Sequence, residues 1–155
     1  MTKLLSKELR GSKTWNAWRS MKERCTNPNN NSYKNYGARG ITFDPRWNDF
    51  AVFVTEVGKC PETVEAISLD RKDNNKNYYK ENCRWATRRQ QTLNSRLRSD
   101  NTSGIKGVYK GHYTGEWVAT SVSQGRHEQL YKGFDFFEAC CVRKSWEAQY
   151  NRGEV

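Results

Sequence analysis

The chain has 155 residues, 28% of them charged, and 27 Lys and Arg against 17 Asp and Glu give it a formal charge of +10. That length holds one ordinary domain or two small ones with modest cores, and six Trp, eight Tyr and six Phe stand in for scarce aliphatic residues. No apolar run reaches the ~18 residues of a membrane helix and the N-terminus lacks the apolar stretch of a secretory signal, so the sequence points to a cytoplasmic protein with no membrane partner, whose cationic surface suits a polyanion.

The charge is unevenly placed. Residues 1–100 carry 20 Lys and Arg against 11 Asp and Glu, and the remainder 7 against 6. Between Asn82 and Arg98 five arginines (84, 88, 89, 96 and 98) occur with no acid, which is either a solvated helix face or a phosphate-binding one. Five cysteines form no Cys-x-x-Cys pair and both histidines lie beyond residue 100, so neither a disulfide framework nor a structural zinc is expected. Cys25, Cys60 and Cys83 are read as buried thiols, with a shared thiolate site as the alternative.

In chain order, Leu4, Leu5 and Leu9 suggest a short helical arm stopped at Gly11. Ser12 is placed to cap a helix in which Trp15, Trp18, Met21 and Cys25 form one apolar stripe. Residues Thr26–Ser32 are turn chemistry, rich in Asn around Pro28. Tyr36-Gly37-Ala38-Arg39-Gly40-Ile41 reads as a tight turn feeding a strand, with Arg39 either structural or on phosphate. Pro45 is expected to open a helix carrying Trp47, Phe50, Phe53, Val54 and Val57 to a stop at Gly58.

Next come a short strand ending Ile67-Ser68-Leu69-Asp70, a polar loop from Lys72 to Glu81, a return segment Asn82-Cys83-Arg84-Trp85 and a polar helix with Arg88 and Arg89. In the loop, Tyr78 and Tyr79 suit either base stacking or the edge of a core. This strand, loop, strand and helix resemble the core of the HNH (His-Me finger) endonucleases. More closely, Tyr36–Ile41, Trp47–Phe50, Leu69-Asp70-Arg71 and Asn82-Cys83-Arg84-Trp85-Ala86-Thr87 resemble a set of phage and bacterial HNH proteins. The resemblance covers roughly residues 12–96. It implies Asp70 as metal-binding acid, Asn82 as the residue that orients the base, Gln91 as the last metal ligand, and Arg71 in the position of the general-base His.

Ser95 to Ser103 is polar and aperiodic, a linker by composition, so the domains are set at 1–98 and 104–155, with 99–103 between. Beyond it, Gly104–Lys110, Glu116–Ser123 and Arg126–Phe134 read as three strands, and Asp135 caps a helix running to Tyr150. The residues Ser103–Val108, Gly115–Ala119 and the Gly133-Phe134-Asp135 approach to a helix with Ala139 and Arg143 resemble the APETALA-two/ERF DNA-binding domain. By that resemblance Lys106, Tyr109, Lys110, Thr120 and Arg126 face DNA. Val118, Thr120 and Val122 alternate on the second strand, where the family places several Arg, so direct base readout by Arg would be weak; packing of the sheet on the first domain is the alternative.

The expected fold is therefore α+β: a small HNH core of the ββα-metal kind, then a three-stranded antiparallel sheet on one helix. The expected function is that of a monomeric, magnesium-dependent, homing-type endonuclease on double-stranded DNA, in a bacterial host if the gene is phage-borne. Arg39, Lys72, Lys76, Arg84, Arg88, Arg89 and Arg96 would meet phosphates in its first part. Arg71 stays protonated at neutral pH and cannot take a proton from water, so its chemical role would be to stabilise charge on the phosphorane. The alternative is an HNH scaffold that binds DNA without cutting it.

Overall fold

The computed structural model describes residues 7–62, 67–123 and 126–152. The chain is mixed α and β and divides into two compact units, Met1–Ser95 and Arg96–Val155. Among the described residues no helix is long and apolar enough to cross a membrane.

In the first unit, Gly11 has φ 83° and Ser12 then caps helix α1 (Lys13–Thr26), accepting from the Trp15 amide at 3.2 Å. Leu4 and Leu5 lie outside the described residues. The expected stripe is real: Met21 and Cys25 are buried, and Trp15 and Trp18 set their rings against Phe50, centroids 4.8 and 5.2 Å away. Asn27 and Asn30 accept from the amides two residues on, so the Asn-rich segment turns through its own side chains.

Two expectations need correcting. The segment after Gly40 is no full strand, because its ladder is a single parallel bridge between Phe43 and Tyr78. The helix expected from Pro45 is broken in two: Asp44 caps a short 3-10 turn (Pro45–Asn48), and Asp49 then caps a fresh helix α2 (Phe50–Val57), accepting from Ala51 N at 2.8 Å. The break lets Trp47 bury completely while its Nε1 donates to Glu56 at 2.7 Å. Met21, Trp47, Phe53 and Tyr78 anchor the core.

Against that core lies an antiparallel hairpin, β1 (Ile67–Arg71) and β2 (Cys83–Thr87), with Asp70 opposite Arg84 and Arg71 opposite Cys83. Helix α3 (Arg88–Asn94) follows at once, opened by a capping box between Thr87 and Gln90. It contacts both strands.

The second unit is a three-stranded antiparallel sheet in the order β3 (Val108–Lys110), β4 (Trp117–Ser123), β5 (Arg126–Gly133), covered by α4 (Phe136–Arg152). Val108, Ala119 and Ala139 form its small core. The linker of the composition reading is partly built into this unit. Asn101 and Ser103 side chains bond the carbonyls of Ile105 and Val108 at 2.7–3.3 Å, which fixes the turn leading into β3.

Candidate functional site

Strand alternation decides what the hairpin presents. Leu69 and Arg71 point into the core, so Ser68 and Asp70 point the other way, towards α3. Asp70 Oδ2 accepts from Arg84 Nε and Nη2 at 3.2 and 3.1 Å, and from the Asn94 amide at 3.0 Å. Asn94 also donates to the Arg71 carbonyl, and its own carbonyl accepts from Asn74. The last residue of α3, the end of β1 and the loop after it thus meet at one carboxylate.

Gln91 is not part of that meeting. Its amide donates to Ser68 Oγ at 2.7 Å and to the Ala86 carbonyl at 2.8 Å, one helical turn away from Asn94. The residue of the helix that reaches Asp70 is Asn94, not Gln91.

Arg71 and Asn82 are structural in this geometry. Arg71 is 3% exposed, donates from Nη1 to the Lys76 carbonyl at 2.9 Å, and sets its guanidinium 5.0 and 4.8 Å from the ring centres of Tyr36 and Tyr78. It is turned inward and held by its flat faces. Asn82 is 4% exposed; it accepts from the Asp73 amide at 2.9 Å and donates to the Asp73 and Asn77 carbonyls at 3.1 and 2.9 Å. It clamps the loop. Tyr78 is a core residue whose phenol burial pushes well up, so of the two readings of that side chain the core one holds.

Of the expected phosphate contacts, Lys72, Lys76, Arg88 and Arg96 are exposed, and Arg84 is half-buried on Asp70. Arg39 is exposed too, but it ties two segments together, donating to Asn35 O at 3.2 Å and to Asn75 Oδ1 at 3.0 Å. Arg89 is half-buried.

In the second unit the register sorts the expected residues by face. Trp117 packs on Phe136 of α4, so Trp117, Ala119 and Ser121 face the helix, while Val118, Thr120 and Val122 face away. Tyr109, opposite Val118, shares the open face with Thr120, and so do Lys132, Gln129 and His127 of β5, which the sequence reading did not single out. Leu130 is the extra residue of a bulge on β5. Three of the expected residues lie off that open face. Lys110 lies with Trp117 on the helix side, its Nζ 5.8 Å from the indole centre, and Arg126 shares the side of Ser121. Lys106 sits among Arg143, Lys144 and Glu147 of α4, where partial burial lowers its pKa.

The donors at Asp70 allow a test for a divalent cation. Among the described residues no three His, Cys, Asp or Glu converge, so Cys25, Cys60 and Cys83 do not form a thiolate site. Asp70 has one carboxylate oxygen outside the Arg84 and Asn94 bonds, and Asn94, turned over, would present an amide oxygen beside it. One carboxylate with a neutral oxygen is a set that magnesium accepts when water and substrate phosphate complete its shell. The residues fit such an ion at Asp70 and Asn94, with Arg84 as the competing cation. Comparison of the chain with family models, with curated proteins and with solved structures finds no match to any of them.

Proposed function

We propose that the protein binds double-stranded DNA and cuts it as a metal-dependent, HNH-like endonuclease, its second unit serving as an APETALA-two/ERF-like DNA-binding module. The observation that carries the reading is the meeting of Asp70, at the end of β1, with Asn94, the last residue of α3, in a strand–strand–helix unit whose helix begins with two arginines. Asp70 and Asn94 would hold the cation. A bound magnesium ion would supply the Lewis acidity that activates water and stabilises the leaving oxygen. Arg84 and Arg88 then contact the phosphates flanking the scissile bond. Arg71 and Asn82 keep the loop in shape and take no proton.

A second reading, a DNA-binding protein without cleavage, is favoured by Arg84, which already neutralises Asp70, and by the absence of a histidine from residues 1–100. Nicking of supercoiled plasmid in magnesium separates the two. Asp70→Asn and Asn94→Ala are expected to abolish nicking while DNA affinity, read by gel shift, stays equal or rises for Asp70→Asn. A wild type that binds DNA and never nicks it leaves the second reading; one that binds no DNA at low salt overturns both.

A further inference from the structure

We infer that the cleft between α1 and β1 is a second contact surface for the DNA backbone; this rests on the DNA-binding reading above. The cleft, of about 490 Å³, is lined by Lys13, Asn16, Ser20 and Arg24 of α1 against Ile67, Ser68 and Leu69 of β1. A second hollow of about 500 Å³ is lined by Ile67 and Ser68 again, with Arg88 and Gln91 on the α3 side. Ile67 and Ser68 line both, so the two hollows flank the start of β1.

Among the described residues neither lining contains an Asp or a Glu, and together they hold three cations, Lys13, Arg24 and Arg88, with hydroxyls and amides beside apolar Ala17, Leu69 and Trp85. Ammonium, guanidinium, hydroxyl and amide donors without carboxylates are the chemistry that meets phosphodiester oxygens, and carry no base preference. On α1 the residues recur at i, i+3, i+7 and i+11, one stripe roughly 16 Å long at 1.5 Å per residue. That length follows a backbone across about five base pairs at 3.4 Å each.

Arg24 gives an independent reason. Its guanidinium lies 4.7 and 5.2 Å from the ring centres of Tyr36 and Tyr78, and its Nε is buried with no hydrogen-bond acceptor among the described residues. A buried donor left unpaired is costly. Arg24 also lines the cleft, so an anion seated there would lie beside its guanidinium charge.

The test uses the full chain and a labelled duplex of about 30 base pairs, with affinity measured across a salt series. Lys13→Gln is expected to flatten the log–log salt slope by about 0.9, the value for one lost phosphate contact. Ser20→Glu, on an exposed helical position, is expected to weaken binding about tenfold or more by like-charge repulsion. Lys144→Gln, exposed on α4, is expected to keep the wild-type slope, and thermal melts of each variant check folding. A wild-type slope in Lys13→Gln, or wild-type affinity in folded Ser20→Glu, with the wild type binding in a salt-dependent way, overturns the surface and leaves the DNA-binding reading standing. A wild type that binds no duplex even at low salt overturns that reading, and the surface with it.

Discussion

Replacing Asn82 by Asp changes one atom and tests whether this side chain clamps the loop or serves the chemistry. The native amide accepts one hydrogen bond and donates two, all to loop backbone at 2.9–3.1 Å, from a position 4% exposed. Aspartate keeps the acceptor facing Asp73 N, but turns the two donated bonds into oxygen facing the carbonyls of Asp73 and Asn77. Two lost bonds at about 0.5–1.5 kcal/mol each, with a poorly solvated carboxylate left against carbonyls, give a loss of about 3 kcal/mol. For a unit of this size that corresponds to a drop in Tm of roughly 12–24 °C. Circular dichroism melts at neutral pH read the global effect, and hydrogen exchange over residues 72–81 reads the local one. The penalty should shrink in acid, since a protonated carboxyl can donate again to one carbonyl. A variant within about 0.5 kcal/mol of wild type at neutral pH, the ordinary range for surface changes, would refute the clamp.

Gly37→Ala is expected to cost several-fold more stability than Gly40→Ala, measured by denaturant unfolding. A Cβ at Gly37 would lie 2.2 Å from the Tyr33 ring and 2.3 Å from the Cys25 carbonyl, whereas one at Gly40 meets open space and only the φ of 79° resists it, a cost of about 1 kcal/mol. Gly107→Ala should lower the stability of the second unit by more than about 2 kcal/mol, because a φ of 77° coincides with Arg143 Nε and the Thr120 carbonyl, both 2.7 Å from the new methyl; an unchanged strand signal in the melt contradicts it. Burial pushes the Cys83 thiol up to about 12, so at mildly alkaline pH iodoacetamide should label exposed Cys141 and spare Cys83 in the native protein, as read by mass spectrometry. Since an unfolded thiol loses its proton near pH ~8.5, the unfolded state binds fewer protons above that pH, and Cys83 withdraws stability as pH rises from there towards about 12.

Much of the local structure is written in short-range chemistry. Ser12 before an apolar stripe, Asn27 and Asn30 in their own turns, and Thr87 with Gln90 ahead of α3 act on neighbours two or three residues away, so the sequence displays them. Asp49 was hidden because helical spacing runs unbroken from Trp47 to Val57, and only the rotation needed to bury Trp47 shows that the chain restarts there. The inward course of Arg71 had a signal: it lies two residues from Leu69, and alternation puts both on one face. Family likeness points the other way, towards a chemical role, and the cation–aromatic packing with Tyr36 and Tyr78 joins parts of the chain far apart in sequence. On α3 the sequence pointed to Gln91; that Asn94, one turn on, is the residue reaching Asp70 depends on the phase of α3 against β1.

The two readings of the site differ in what neutralises Asp70. Below the carboxylate the frame is stiff: Asn82 clamps the loop by three bonds, Arg71 is wedged beside two rings, and Tyr78 is sealed in the core. Above it, Arg84 meets Asp70 as a cross-strand pair, the two side chains 36% and 12% exposed, and a turn of the Asn94 amide would exchange a donor for an acceptor. On the proposed DNA-binding reading, an acid facing phosphate without a cation would repel it, and Arg84 would make the surface fit to bind. Since Arg84 reaches solvent, a phosphate could compete with Asp70 for its guanidinium. On that reading DNA itself would uncover the acid, so the same Arg84–Asp70 pair is compatible with a resting binder and with a working nuclease.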